Sequence, residues 1–216
     1  MNTHHRLKLL ALVFMTVDHL GMFLFPELLW LRVVGRVAAP IFCFLIGWNG
    51  SYRFRRELLL AAILVSLLMS FSHGLFPLNI LWTILLGRML LARLDASPRK
   101  ESPVMLVVTA LLCSMSVVLF DYGTLGILWM LWGRAVRRAP GSTESWIYAL
   151  ACLTGAKAYG FGLMGYTQTA QHVAEFVIFL VLIPIFQRFA LHPMHTPPAA
   201  VTWLARHTLR YYVLHL

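Results

Sequence analysis

A chain of 216 residues that is 60% hydrophobic and only 12% charged does not match a water-soluble domain, in which about half the residues are apolar and about a quarter charged. The net charge of +10 does not indicate nucleic acid, because Lys and Arg are scattered between apolar runs and never gathered into one basic domain. A lipid bilayer is the solvent that suits this composition.

In chain order, apolar runs fall near 7–25, 33–49, 58–76, 78–93, 104–121, 123–137, 146–166, 172–189 and 199–216. Most approach the roughly 17–25 residues that a spanning helix needs. The expected fold is all-α, a polytopic transmembrane helical bundle of about nine spans in a single integral-membrane domain, residues 1–216. The first run follows the basic residues Arg6 and Lys8 and so resembles a signal peptide. Asp18 and His19 interrupt it and no small-x-small cleavage site follows, so it reads as a retained first span. Cys43, Cys113 and Cys152 all lie within apolar runs, and free thiols are expected.

Basic residues alternate across the loops. Twelve of the 18 Lys and Arg fall on the side shared by the N-terminus, the Arg53–Arg56 group, the Arg93–Lys100 segment, the Arg134–Arg138 run and Arg188, whereas the opposite loops hold Arg32. Because positive charge is retained inside, the N-terminus is expected to be cytoplasmic and the C-terminus outside.

Ionisable residues within spans cost at least about 2.5–3.5 kcal/mol each and need a reason. Lys8 and His19 are eleven residues apart, almost three helical turns, which puts them on one stripe roughly 16 Å apart. A cation at the inner surface and an imidazole deeper in suit a long anionic donor threaded along the helix, with His19 as general base. Asp18 lies roughly 100° around the helix from His19, so it is expected to pair with a cation on another helix, with Arg36 the best placed. A plain packing salt bridge, with His19 a hydrogen bonder between helices, is the other reading of these residues. Further polar residues collect near the outer ends of the spans: Asn79, Asp121, Tyr122, His172, Glu175 and His215. Lys157 sits in a glycine-interrupted run whose backbone could face a cavity. Trp30, Trp48, Trp129 and Trp132 read as interface anchors.

Several segments resemble the TraX family, whose members acetylate the N-terminus of conjugative pilin. They are Leu7-Lys8 through Asp18-His19-Leu20-Gly21; the stretch Leu31-Arg32 through Gly35-Arg36-Val37-Ala38-Ala39-Pro40-Ile41-Phe42; Leu78-Asn79-Ile80-Leu81-Trp82-Thr83; Asp121-Tyr122-Gly123; and a terminal Tyr212-x-x-His215. The Lys8-x10-His19 spacing is also similar to the R/K-x10-H motif of the wider membrane acyltransferase superfamily. This resemblance implies a multi-pass protein of the bacterial inner membrane. It also implies acetyl-CoA as the cytoplasmic donor, held by Lys8 with Arg53, and a membrane-held pilin as acceptor. His19 would be the base, Asp18 and Arg36 its electrostatic partners, and Asn79 the donor to the oxyanion, with Asp121, Tyr122, Tyr212 and His215 as further polar candidates. No metal is implied. The seventh and eighth spans carry none of these motifs. An acyltransferase acting on a glycan or lipid hydroxyl, a transporter or proton pathway, and a noncatalytic pilin chaperone remain compatible with the same residues.

Overall fold

The computed structural model describes residues 4–73, 78–96, 102, 122–162, 169–188, 203 and 207–214. The described residues fold as helices: α1 (His4–Phe23), α2 (Leu29–Gly35), α3 (Ala38–Asn49), α4 (Arg56–His73), α5 (Ile80–Ala96), α6 (Gly123–Arg138), α7 (Thr143–Gly162), α8 (Thr169–Arg188) and α9 (Thr208–Leu214). The runs at 7–25, 58–76, 78–93, 123–137, 146–166 and 172–189 each coincide with one of these helices and that at 33–49 with two; the run at 104–121 and much of that at 199–216 lie outside the described residues.

The second run begins earlier than expected, at Leu29, and is broken in the middle. Pro40 lacks an N–H, and its ring crowds the carbonyl four residues back, that of Arg36. The helix yields there: Arg36 ends α2 as its C-cap and α3 starts at Ala38, across a tight turn in which Val37 N–H donates to Val34 O. Together Leu29–Asn49 make 21 residues of mean hydropathy 1.8, the one stretch among the described residues that passes for a membrane crossing on length and composition together.

At the centre of the bundle α3 crosses α6. Gly47 lies against the carbonyl of Met130, and Gly133 lies against the carbonyl of Phe44, so each helix presents a glycine to the other's backbone. Small residues allow this approach, which adds van der Waals contact where the hydrophobic effect offers little. Around the crossing Phe44 stacks on Phe186 with ring centroids 4.1 Å apart, and Trp132 meets both edge-on. α6 is buried on all sides from Gly123 to Val136 apart from Ile127, as a helix enclosed by others must be. Arg134, the first of its three arginines, is buried as well.

The outer surface has the opposite character. On α4 Leu60, Ile63, Leu64, Leu67 and Leu68 are all exposed, at the i, i+3, i+4, i+7, i+8 positions of one face. Asn79, Thr83, Thr124, Ser145 and Gln187 are buried meanwhile. An apolar exterior, with the few polar groups held inside, is what hydrocarbon selects.

Just past the apolar part of α5, Asp95 clamps the end of α6. Its carboxylate accepts from Arg134 Nε at 2.6 Å, Arg138 Nη2 at 3.0 Å and Arg137 Nη2 at 3.1 Å. Burial pushes the Asp95 carboxyl up, but the hydrogen bonds and charges of Arg134 and Arg137 outweigh this and hold it below the usual carboxylate range. A carboxyl depressed in the folded state stabilises fully above its unfolded pKa, roughly 3.9, and this contribution is lost as pH falls through the lower folded value. Melting temperature in detergent should therefore drop below about pH 4 in the wild type. Asp95→Asn should cost about 2 kcal/mol at pH 7, since it leaves the buried Arg134 uncompensated. The variant should also lose the acid-dependent step.

Candidate active site

α1 runs unbroken from His4 to Phe23, so the eleven-residue spacing keeps Lys8 and His19 on one stripe. Between them on that stripe lie Ala11, Leu12 and Met15, all buried, while Leu10, Val13 and Leu20 are exposed. The line from Lys8 to His19 thus faces the interior of the bundle, whereas Leu10, Val13 and Leu20 face outward.

At the His19 end, glycine again brings two helices together. Gly35 packs on the backbone of Asp18, where any Cβ would clash, and Gly21 packs on Leu31. That contact sets Asp18 between two arginines: Arg32 Nη1 is 3.3 Å from Oδ2 and Arg36 Nε is 3.7 Å from Oδ1. The expected pairing with Arg36 is present, and Arg32, read from sequence as a loop residue, makes the shorter contact from within α2. Arg36 Nη1 also donates to the Tyr122 hydroxyl at 3.1 Å, with the guanidinium carbon 5.5 Å from that ring's centroid. Tyr122 adopts a left-handed backbone (φ 61°) at the N-cap of α6, uncommon for a bulky residue. An Asp18–Arg36–Tyr122 chain therefore links α1, the α2–α3 break and α6.

The imidazole of His19 lies 6.2 Å from the Tyr212 ring and 6.0 Å from the Phe23 ring. One residue before Tyr212, the Tyr211 hydroxyl lies 2.9 Å from Thr16 Oγ1. The C-terminal helix α9 is thereby fastened to the same stretch of α1 that carries His19.

Asn79 does not fit its expected role. It is buried, its amide donates to Ala62 O at 3.0 Å and to Ser66 Oγ at 2.8 Å, and its Oδ1 accepts from Leu81 N–H at 3.0 Å. With both amide hydrogens committed to α4 and its oxygen to the start of α5, Asn79 is a pin between helices and not a donor to an oxyanion.

At the other end of the stripe Lys8 is half-buried and within electrostatic reach of Arg55, which in turn reaches Arg88. Arg88 Nη2 donates to the Arg53 carbonyl at 2.8 Å, while its buried Nε has no hydrogen-bond partner. Arg53 thus contributes its backbone here, and its side chain is exposed. Arg55 carries a surface pair with Glu57 at 2.9 Å. The intervening segment is held by Tyr52, whose hydroxyl donates to Gly47 O at 2.8 Å and accepts from Arg137 Nη2 at 3.3 Å. Gly50, at φ 65°, leaves the space that the Arg137 guanidinium fills. Arg55, from the 50–55 segment, thus lies within electrostatic reach of both Lys8 on α1 and Arg88 on α5. Arg88 was legible only as a charge within a span, and nothing in its spacing linked it to Lys8.

Asp121 and His215 lie outside the described residues, as do the side chains of Lys157, His172 and Glu175. Cys43 and Cys152 are buried thiols, and Cys113 lies outside the described residues.

The arrangement is that of a helical membrane protein with a cationic end and a histidine end joined along one buried stripe. The model of the TraX protein family matches residues 3–216, nearly the whole chain, and the chain belongs to that family. It is also similar to an uncharacterized protein of Rickettsia prowazekii (strain Madrid E), 32% identical over 136 residues. That match covers 61% of this chain and 55% of the relative, so the chain spans about half the length of the curated protein it matches. No solved structure matches.

Proposed function

We propose that this protein is a transmembrane N-acetyltransferase that moves an acetyl group from cytoplasmic acetyl-CoA to the N-terminal amine of a membrane-held pilin. Family membership supports a conjugation-related, pilin-associated role. The observation that carries the chemistry is the buried stripe on α1, with Lys8 at one end, His19 at the other and Ala11, Leu12 and Met15 between them facing the interior. In this reading about nine spans cross the bacterial inner membrane, with the N-terminus cytoplasmic and the C-terminus periplasmic.

The pilin amine attacks the thioester carbonyl while His19 accepts a proton from the nitrogen. The tetrahedral intermediate collapses, the C–S bond breaks, and the coenzyme leaves as a thiolate that takes up a proton. Lys8 faces the donor's phosphates together with Arg55, which lies within its electrostatic reach, and Arg88, which lies within that of Arg55. Asp18 and Arg36 hold α1 and α2 in register around His19.

Intact-mass measurement of the cognate pilin, from cells with and without this protein, tests the reading. One acetyl group gained only when the protein is present supports it. Unmodified pilin in both samples overturns the acceptor. A second expectation concerns Arg88. Crowded like charges repel, so Arg88→Gln should leave melting temperature unchanged or higher in the absence of donor. It should also raise KM for acetyl-CoA about tenfold, with a shallower dependence on salt than the wild type. A lower melting temperature with unaltered KM would make Arg88 a purely structural residue.

A further inference from the structure

The short helix α9 covers the His19 half of the α1 stripe. Tyr211 and Tyr212 pack against a buried group formed by Leu12 and Met15 of α1 with Ala38 of α3. Leu209, Tyr212 and Val213 pack against a second buried group, contributed by α4 and α5. Positions 209, 212 and 213 recur at the spacing of one helical face, so that face of α9 meets α4 and α5 while Tyr211, beside it, meets α1. Arg210 is exposed. Tyr212 belongs to both groups and therefore stands where α1, α4 and α9 come together.

Thr16 lies one turn before His19 on α1. Its hydroxyl donates to Leu12 O at 2.9 Å, and that uses the one hydrogen it carries. Its oxygen is then the acceptor in the 2.9 Å contact with Tyr211, and the Tyr211 hydroxyl is the donor. One residue further along α9, the Tyr212 ring lies 6.2 Å from the imidazole of His19, within the range of about 4.5–7 Å in which aromatic rings attract. Phe23, whose ring is 6.0 Å away, sits on α1 itself, so its place beside His19 follows from the helix. The place of Tyr212 depends on how α9 is seated.

We infer that Thr16 and Tyr211 are positioning residues for the transfer: their hydroxyl pair seats α9, and α9 sets the Tyr212 ring that holds the imidazole of His19 toward the stripe. The inference rests on His19 as the base of the proposed reaction. A base must come within about 3 Å of the atom whose proton it takes, and a misplacement of about 1 Å costs on the order of 10²-fold in rate. Lys8 lies roughly 16 Å away along α1, so this device acts on the chemical step and leaves donor binding alone.

The test compares the full chain in detergent with its Thr16→Val, Tyr211→Phe and double variants. It measures kcat and KM for acetyl-CoA with pilin as acceptor, and amide exchange of residues 208–214 by mass spectrometry. Each single variant should lower kcat about tenfold with KM unchanged, and exchange in α9 should quicken. The double variant should stay within about twofold of the slower single one, because either change alone already breaks the same bond. Thr16→Ser keeps the accepting oxygen and should recover most of the rate lost in Thr16→Val. A loss of about a hundredfold in the double variant would mean that the two hydroxyls act separately, and would overturn the inference. Faster exchange with kcat unchanged would leave the pair a purely structural tie and overturn it too. Absence of transfer by the wild type would overturn the reaction itself and this role with it, whereas wild-type transfer matched by both single variants would overturn the role alone.

Discussion

Replacing His19 with Ala should reduce acetyl transfer to pilin by about 10²–10⁴-fold, the usual contribution of a positioned general base, while leaving the protein folded in the membrane. His19 is half-buried, on the stripe of α1 that faces inward, with its ring beside those of Phe23 and Tyr212. Truncation there removes a modest amount of aromatic contact. The packing that fixes α1 comes from elsewhere: Gly35 against Asp18, Gly21 against Leu31, and the buried Ala11, Leu12 and Met15. Intact mass of the pilin should show no added acetyl group with the variant. Its detergent melting curve should stay within a few degrees of the wild type. Asp18→Asn is the contrast. It weakens two cation contacts that hold α1 to α2 and the start of α3, so its loss of activity should come with a loss of stability. If His19→Ala acetylates pilin at the wild-type rate, the imidazole is a packing group and the catalytic reading of the stripe fails.

Gly47→Ala should be among the most damaging single changes for folding, although it adds only one methyl group. That methyl would run into the carbonyl of Met130 and crowd the backbone nitrogen of Arg134. Backbone cannot swing aside as a long side chain can, so α3 and α6 must separate, and the aromatic packing of Phe44, Trp132 and Phe186 opens with them. Overpacking of this kind costs about 3 kcal/mol. Gly133→Ala, which meets the Phe44 carbonyl from the other side, should do the same. Gly155→Ala provides the control. It lies in α7, where the nearest atom is the flexible end of Leu125, so the usual helix gain of about 1 kcal/mol for Ala over Gly should appear. Melting temperatures of the three variants in one detergent test this order. A Gly47→Ala protein as stable as the wild type would show that the two helices do not meet through their backbones.

Much of this protein could be read in the sequence because the relevant rules are local. Six apolar runs, from 7–25 to 172–189, located their helices to within a few residues, since a chain in hydrocarbon must satisfy its own backbone polar groups within each segment. The eleven-residue spacing of Lys8 and His19 needed only the pitch of a helix. Pairing of Asp18 with Arg36 followed from similar depth on consecutive segments and the cost of leaving either charge alone.

The rest depended on which faces meet, and helical periodicity does not encode that. Asn79 carried the right chemistry for an oxyanion donor, but the packing of α4 on α5 consumed its hydrogen bonds. Arg53 stood beside Arg55 in a run of equivalent cations, and only the fold showed that Arg55 shares the end of the stripe with Lys8 while Arg53 turns its carbonyl to Arg88. Arg32 moved from an outer loop to a direct contact with Asp18, because Gly21 and Gly35 let α1 and α2 close to backbone distance. The sequence by itself determined that the chain is helical, apolar outside, and carries Lys8 and His19 on one face of its first helix, because those properties follow from composition and pitch. Tertiary structure decided which cation lies near Lys8 and which polar groups are spent on packing, because both depend on which helix faces meet.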